Sequence, residues 1–306
     1  MIDGVKVTLG ICVLTEKMGA LQIVEKAIKE GVDEIILVTP NPHIIHFLAE
    51  KVSNKETNIH FILESRRRGK SVAVNEILSH ASGDLIVMAS ADVRLAEGAI
   101  KNLVRKMLSD PDIGAVDSNV SLMNSRNSIS NRIAHITWLL HNLTMAKLNC
   151  EERLGHIAGD LYCIRRGMVQ KIPGDIINDD AYIAMSIRLK GFKVARCKEA
   201  KCYILGPQNP IDYLLQRSRV IRGHFQLLHY LKRFPTVLEF LIFEDIHKVF
   251  SIIGEAVKHL KPSEILLFFI AILLEAMAVI MASIKSFLRN NESIWTIVNS
   301  TKELFS

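Results

Sequence analysis

Several signatures that would fix a chemistry at once are missing from this sequence. Its five cysteines, Cys12, Cys150, Cys163, Cys197 and Cys202, are scattered and odd in number, with no CxxC pair. A zinc site therefore has no support, and they read as buried or semi-buried thiols of a reducing compartment. No GxxxxGK[ST] loop occurs, because Glu64 and not glycine stands six residues before Lys70, which removes the main support for a nucleoside triphosphatase. No GxGxxG follows the first apolar run, which weakens a nicotinamide-cofactor reading. The arginines are not interleaved with aromatics, so nucleic acid would find no stacking platform. The opening MIDGVKVTLG has no basic leader, apolar run and cleavage site, so no secretory signal peptide is expected.

What is present is apolar and basic. The 306 residues are 49 % hydrophobic, enough to bury a full core, and the formal charge of +6 favours phosphate-bearing partners: a nucleotide or anionic lipid head groups. Strand and helix candidates alternate through the first hundred residues. Val5 to Leu14, EIILVT from Glu34, Ile59 to Leu63 and DLIVMA from Asp84 read as strands, separated by helical spacing over Met18 to Glu30, Ile44 to Val52 and Ser71 to Ser79. Such apolar strands predict a mostly parallel α/β sheet covered by helices on both faces, with ligands collecting beyond the carboxyl ends of the strands. Ser118 to Asn131 reads as a flexible or substrate-facing loop, and Lys193 to Cys197 as a short strand.

Beyond Pro210 the composition changes. Ile211 to Leu231 mixes basic and bulky apolar residues, and Val237 to Val257 has the spacing of one amphipathic helix. Ile265 to Ile284 then carries a single charge, Glu275, over about 30 Å of helix, enough to span a bilayer core. Glu275 is costly there unless protonated, paired or turned to a protein interior. Lys258, Lys261, Lys285 and Arg289 flank this segment on both sides and give little orientation. Three segments are expected: 1–210 catalytic, 211–262 basic and amphipathic interfacial helices completing the active site, and 263–306 a membrane anchor helix and tail.

Four constellations could carry chemistry. Gly69, Lys70, Ser71 and on to Asn75, directly after Arg66, Arg67 and Arg68, joins a helix start to positive charge and suits a diphosphate or an ordinary basic cap. Asp92 ends an apolar strand, where it could cap a helix or hold Mg²⁺ or Mn²⁺. Asp179 and Asp180 after Asn178 offer adjacent carboxylates at a helix start, as a cap or as a general base. Gln216, Arg217, Ser218 and Arg219 offer a membrane-proximal basic patch or contacts to a pyrophosphate.

Taken in order, these segments resemble the inverting nucleotide-sugar glycosyltransferases of the GT-A fold, family 2 type, which include cellulose, chitin and hyaluronan synthases and dolichyl-phosphate sugar synthases. RRRGKSVAVN is similar to the family's GK-x-x-A-x-N segment, and Ser90, Ala91, Asp92 falls at its Asp-x-Asp. HIAGDLYCIRR from His156 resembles its acceptor segment, Asn178, Asp179, Asp180 its catalytic carboxylates, and QRSRV from Gln216 its Gln-x-x-Arg-Trp. The resemblance covers about residues 5 to 222 and implies a GT-A, Rossmann-like fold followed by amphipathic and transmembrane helices.

It implies Asp180 as general base beside Asp179 and Asp92 as ligand of Mg²⁺ or Mn²⁺. It further implies Glu16, Lys70, Asn75, Asp92, Gln216, Arg217 and Arg219 on the donor nucleotide, and Gly159 with Asp160 on the acceptor. The sequence departs from the pattern at Ser90, which replaces the first aspartate, at Thr39, Pro40, Asn41, where a base-reading aspartate pair is usual, and at Val220, which replaces the tryptophan of processive members. Thr15 likewise stands where Asn precedes the family's Glu.

The leading expectation is transfer of one sugar from a UDP- or GDP-sugar to a lipid-linked or glycan acceptor at the cytoplasmic face of the cell membrane. A processive polysaccharide synthase, working as a homo-oligomer or with a membrane-protein partner, is the alternative. A catalytically decayed scaffold or nucleotide-sugar sensor is the third reading.

Overall fold

The computed structural model describes residues 1–52, 57–152 and 154–288. In chain order it comprises β1 (Val7–Cys12), α1 (Lys17–Lys29), β2 (Glu34–Thr39), α2 (Pro42–Lys51), β3 (Asn58–Leu63), α3 (Lys70–His80), β4 (Leu85–Ser90), β5 (Arg94–Leu95), α4 (Ala99–Leu108) and β6 (Ile113–Leu122). There follow α5 (Ile129–Cys150), β7 (Leu161–Arg165), α6 (Asp179–Leu189), β8 (Lys193–Ile204), α7 (Pro210–Leu231), α8 (Leu238–Leu241), α9 (Ile246–His259) and α10 (Ile265–Phe287).

The strands form one sheet in the order β3-β2-β1-β4-β7-β6-β8-β5. Strands β1 to β4 are parallel to one another, β7 runs against both β4 and β6, β8 is parallel to β6, and β5 pairs antiparallel with β8. The expected mostly parallel sheet is therefore present, with two strands reversed. Its central strands are buried on both faces because their side chains alternate between two cores: Ile35 and Leu37 of β2 face the layer of α1, α2 and α4, while Ile36 and Val38 face that of α3 and α6. Strand β3 is the exception. At the sheet edge its NIHFIL alternates exposed and half-buried positions, so it keeps a wet face.

Three local expectations are corrected. The polar run from Ser118 is no loop at its start: β6 continues to Leu122, because Asn119 to Leu122 pair with Lys201 to Ile204 past a register shift. Strand β8 accordingly runs to Ile204, well beyond Cys197. The single helix expected over Val237 to Val257 is broken into α8 and α9, where the Asp245 carboxylate accepts from the Lys248 amide and starts a new helix. Arg289 and the tail beyond it lie outside the described residues.

The C-terminal helices pack onto the α/β unit. Helix α10 lays Leu267, Phe268 and Ala271 against Ile133 and Ile136 of α5 and Tyr213 of α7, then Ala278 and Ala282 against Ile221 of α7. Glu275 is not left in an apolar setting. Its carboxylate accepts from the Arg217 guanidinium at 2.8 and 3.0 Å and from the Tyr213 hydroxyl, and Arg217 also pairs with Glu239. Thr137 of α5 lies 2.8 Å from the same tyrosine oxygen, tying α5, α7, α8 and α10 into one polar junction.

Candidate active site

The carboxyl ends of β1, β2 and β4, the start of α3, the start of β7, the first turn of α6 and the length of α7 surround one cavity of about 540 Å³. The parallel half of the sheet brings Cys12, Pro40 and Asp92 to the same edge, as that topology requires. Of the residues singled out from sequence, Glu16, Lys70, Asp92, Gly159, Asp160, Asp179, Asp180, Gln216, Arg217 and Arg219 all line the cavity. Asn75 does not. Its amide donates to the Ile172 carbonyl at 2.7 Å and accepts from the Ile172 amide at 2.8 Å, so the side chain pins α3 to the segment ahead of α6.

The centre of the site is a lysine between two adjacent carboxylates. Lys70 Nζ lies 3.6 Å from Asp179 and donates to the Gly159 carbonyl at 3.4 Å. Burial disfavours its charge, but Asp179, Asp180 and Asp160 outweigh that and hold the ammonium above its ordinary range. Both aspartates are displaced upward, by burial first, with Lys70 pulling the other way. Asp179 is 2 % exposed, and its Oδ2 has no hydrogen-bond partner among the described residues. Asp180 Oδ1 accepts from the Ala181 amide at 2.7 Å, while a Cβ at Gly159 would lie 2.5 Å from its Oδ2. Glycine there lets β7's approach close on the carboxylate. Half-buried Arg219 faces Asp180, Asp92 and Asp179; burial lowers its pKa and these carboxylates oppose the shift.

Helix α7 is fixed to this centre by close packing. A Cβ at Gly223 would fall 2.4 Å from the Asn178 side chain, whose amide donates to the Val220 carbonyl at 2.8 Å. The Gln226 side-chain Oε1 accepts from the Ile177 amide at 2.9 Å. The loop carrying Gly159 is held from below: the Ala158 amide donates to Asp117 at 2.9 Å. Burial pushes the Asp117 carboxyl up to about 7, opposed by Arg196 at 3.8 Å. Of the basic residues before Lys70, Arg68 is committed to Glu64 and Glu76, at 3.3 and 3.1 Å, while Arg67 lines the cavity. Arg217 reaches the cavity wall, but its guanidinium is engaged by Glu239 and Glu275.

The cavity continues toward α10 with a different lining. Trp138, His141, His156 and His224 form a chain of edge-to-face rings with centroids 5.0 to 6.0 Å apart. Burial holds all three imidazoles below the usual histidine range, His156 at about 4. They are neutral at pH 7. Nδ1 of His156 and both ring nitrogens of His224 are buried with no hydrogen-bond partner among the described residues. Leu140, Met145, Ile253, Phe268 and Ile272 complete this lobe.

Sequence reasoning put His156 at the head of the acceptor-like segment but did not anticipate His141, His224, Asp117 or the Glu239 and Glu275 clamp on Arg217. The histidines come from α5, the loop after it and α7, and no linear spacing links them.

For a divalent cation, no three His, Cys, Asp or Glu side chains cluster as a protein cage among the described residues. Asp92 offers an oxygen donor at the end of β4, and Ser90 donates to the Gly159 carbonyl at 2.9 Å. Asp92, in a cavity that also holds Lys70 and Arg219, fits Mg²⁺ or Mn²⁺ shared with substrate phosphates, the habit of hard ions that keep part of their coordination for the ligand.

A mostly parallel sheet with this strand order, with a cavity at its strand ends that sets lysine and arginine beside paired carboxylates, has the architecture of the GT-A fold. The chain belongs to glycosyl transferase family 2, whose pattern it matches over residues 11–172. It is similar to the poly-beta-1,6-N-acetyl-D-glucosamine synthase of Staphylococcus aureus (strain COL), at 26 % identity over 239 residues, 72 % of this chain and 55 % of that protein. The enzyme of the same description from Staphylococcus epidermidis is 24 % identical over 212 residues, 64 % of this chain and 49 % of that one. The chain thus spans about half the length of the curated relatives it matches.

Among solved structures, the mannosyltransferase PcManGT from Pyrobaculum calidifontis, in complex with GDP-Man and Mn²⁺, superposes with TM-score 0.63 at 19 % identity, covering 94 % of this chain and 88 % of that one. GalNAc-T7 with UDP, GalNAc and Mn²⁺ gives 0.51 at 14 % identity over 66 % of this chain and 43 % of that one. Both likenesses concern the fold.

Proposed function

We propose that this chain is the catalytic subunit of a membrane-attached polysaccharide synthase, extending a glycan from a UDP- or GDP-sugar with inversion at the anomeric carbon. The observation that carries the reading is the cavity's second lobe. Neutral imidazoles each offer one donor and one acceptor, which suits sugar hydroxyls, and Trp138 offers a flat apolar face. A lipid phosphate acceptor would call for cations there. The likeness to polysaccharide synthases therefore outweighs the single transfer to a lipid-linked acceptor expected first. Among the described residues one helix is long and apolar enough to cross a membrane, and a channel for product would draw on further membrane segments, such as those of a membrane-protein partner.

In this reading Asp180 takes the proton of the attacking acceptor hydroxyl as its oxygen bonds to the anomeric carbon, and the bond from that carbon to the diphosphate breaks. Asp179 and Lys70 keep Asp180 poised: burial raises its proton affinity, and the ammonium opposes that rise. Lys70, Arg219 and Gln216 hold the departing diphosphate, Glu16 and Arg67 border the nucleotide, and Gly159 with Asp160 border the acceptor. Asp92 would hold Mg²⁺ or Mn²⁺, which supplies charge neutralisation to the diphosphate when bound. Arg217 acts indirectly, by keeping α7 in place against Glu239 and Glu275. The catalytic domain faces the cytoplasm, where nucleotide sugars are supplied.

The test is nucleoside-diphosphate release and product length in membranes given UDP- and GDP-sugars with Mg²⁺ or Mn²⁺. Asp180→Asn is expected to lose roughly 10²–10⁴-fold in turnover with donor binding retained, and the wild type to make products longer than one unit. Release unaffected by the substitution removes Asp180 as base; products of a single unit restore the single-transfer reading.

A further inference from the structure

Helix α10 has the length of a membrane span, yet its packing is that of a flank. From Leu267 to Ala282, about 22 Å at 1.5 Å per residue, one face stays against α5 and α7. Helix α7 is in turn locked on its other side to Asn178 and Gln226's partners beside the catalytic aspartates. A single helix therefore separates α10 from Asp180. Were α10 to cross the hydrocarbon core, α7 would be carried to the same depth together with the polar cavity that it lines through Gln216 and Arg219, and a charged nucleotide sugar would have to be bound there.

The outer face is differently made. Leu266, Phe269, Leu273, Ile280, Ile284 and Phe287 are 56 to 87 % exposed. Helix α9 packs on the same α5, with Ile253 joining the cluster of Ile133, Ile136 and Phe268. Outward from it stand Phe250 and, in the preceding turn, Phe243, 64 and 81 % exposed. Lys258 in the last turn of α9, paired with Glu255 at 3.2 Å, and Lys261 ahead of α10 are exposed, and Lys285 stands at the far end of α10. Bulky apolar residues with lysines at the rim are the composition of a surface that sinks a few ångströms into an anionic bilayer.

We propose that α10 lies in the plane of the membrane interface, its outer face with Phe243 and Phe250 inserted at the boundary of head groups and acyl chains, and does not traverse the bilayer. The occupant of this face is lipid. The inference rests on the membrane attachment proposed above, and the two fail in different ways.

The full-length protein, with Cys150→Ser to remove the exposed thiol, is added to sealed vesicles of phosphatidylcholine and phosphatidylglycerol. Single cysteines at Leu266, Leu273, Ile280 and Phe287 carry an environment-sensitive probe, and quenching by lipids labelled at known depth reports immersion. The in-plane arrangement gives the four sites one shallow depth, and an impermeant thiol reagent outside the vesicles modifies both Leu266→Cys and Phe287→Cys. A crossing helix would place Leu273 and Ile280 about 10 Å or more deeper than Leu266 and shield one end from the reagent, which would overturn the in-plane proposal alone. Failure to float with the vesicles, with the protein running as a dimer in solution, would overturn attachment itself and assign the face to a second copy.

Discussion

The two ends of the cavity treat charge in opposite ways. At the strand ends, Lys70 and Arg219 crowd together with Asp179 and Asp180, and the carboxylates hold the Lys70 ammonium above its ordinary range while burial raises the aspartates and lowers the arginine. At the helix end, burial keeps three imidazoles neutral, and the one guanidinium is taken up by two carboxylates. On the proposed reading the charged end takes the departing diphosphate, and the end of neutral donors and acceptors takes hydroxyls. The junction of the two is Gly159, against which Asp180 rests.

The strongest way to break this division is at that junction. Gly159→Ala puts a methyl 2.5 Å from Asp180 Oδ2, and turnover should fall about 100-fold while circular dichroism and melting stay close to wild type. A next test separates the ends: His156→Leu and His224→Phe should raise the KM for glycan acceptor about tenfold, the worth of a lost hydrogen bond, and leave donor hydrolysis and donor KM unchanged. Equal losses toward both substrates would erase the distinction.

The ionic end should declare itself through pH. Asp179 and Asp180 are raised by burial and lowered by Lys70, so the base must lose a proton that it holds above the ordinary carboxylate range. Rate therefore rises with pH along an acidic limb. Lys70→Met removes the opposing charge, and the limb in kcat should move to higher pH by about one unit. The smallest effect lies beneath the loop. Asp117 binds its proton more tightly folded than unfolded, so its favourable contribution is present at low pH and lost as pH rises through about 7. Asp117→Asn should flatten that decline, by a few °C in Tm between roughly pH 4 and 7.

Sequence made the parallel half of the fold legible because its strands are continuous apolar runs between helical segments, and β1, β2 and β4 fall where that pattern puts them. It failed at Ser118 to Leu122, where polar residues enter a strand whose hydrogen bonds come from β8, eighty residues away in the chain. Local composition carries no sign of such a partner. At the site, Lys70, Asp92, Asp179 and Asp180 stand out because each marks a strand end or helix start, and the fold brings them to one cavity. Asn75 and Arg217 show the limit of a motif: one side chain is spent on a backbone and the other on two carboxylates, choices made by neighbours distant in sequence. The histidine chain is invisible for the same reason.

The clamp on Arg217 also sets an order of events in time. Glu239 follows it by 22 residues and Glu275 by 58. At about 5–20 residues per second of synthesis, the second carboxylate emerges roughly 3–12 s after the arginine. Through that interval the helix beside the catalytic pair lacks its outer brace. The brace is complete only when the segment that carries Glu275 has left the ribosome, so the outer support of α7 and the apolar helix α10 arrive together.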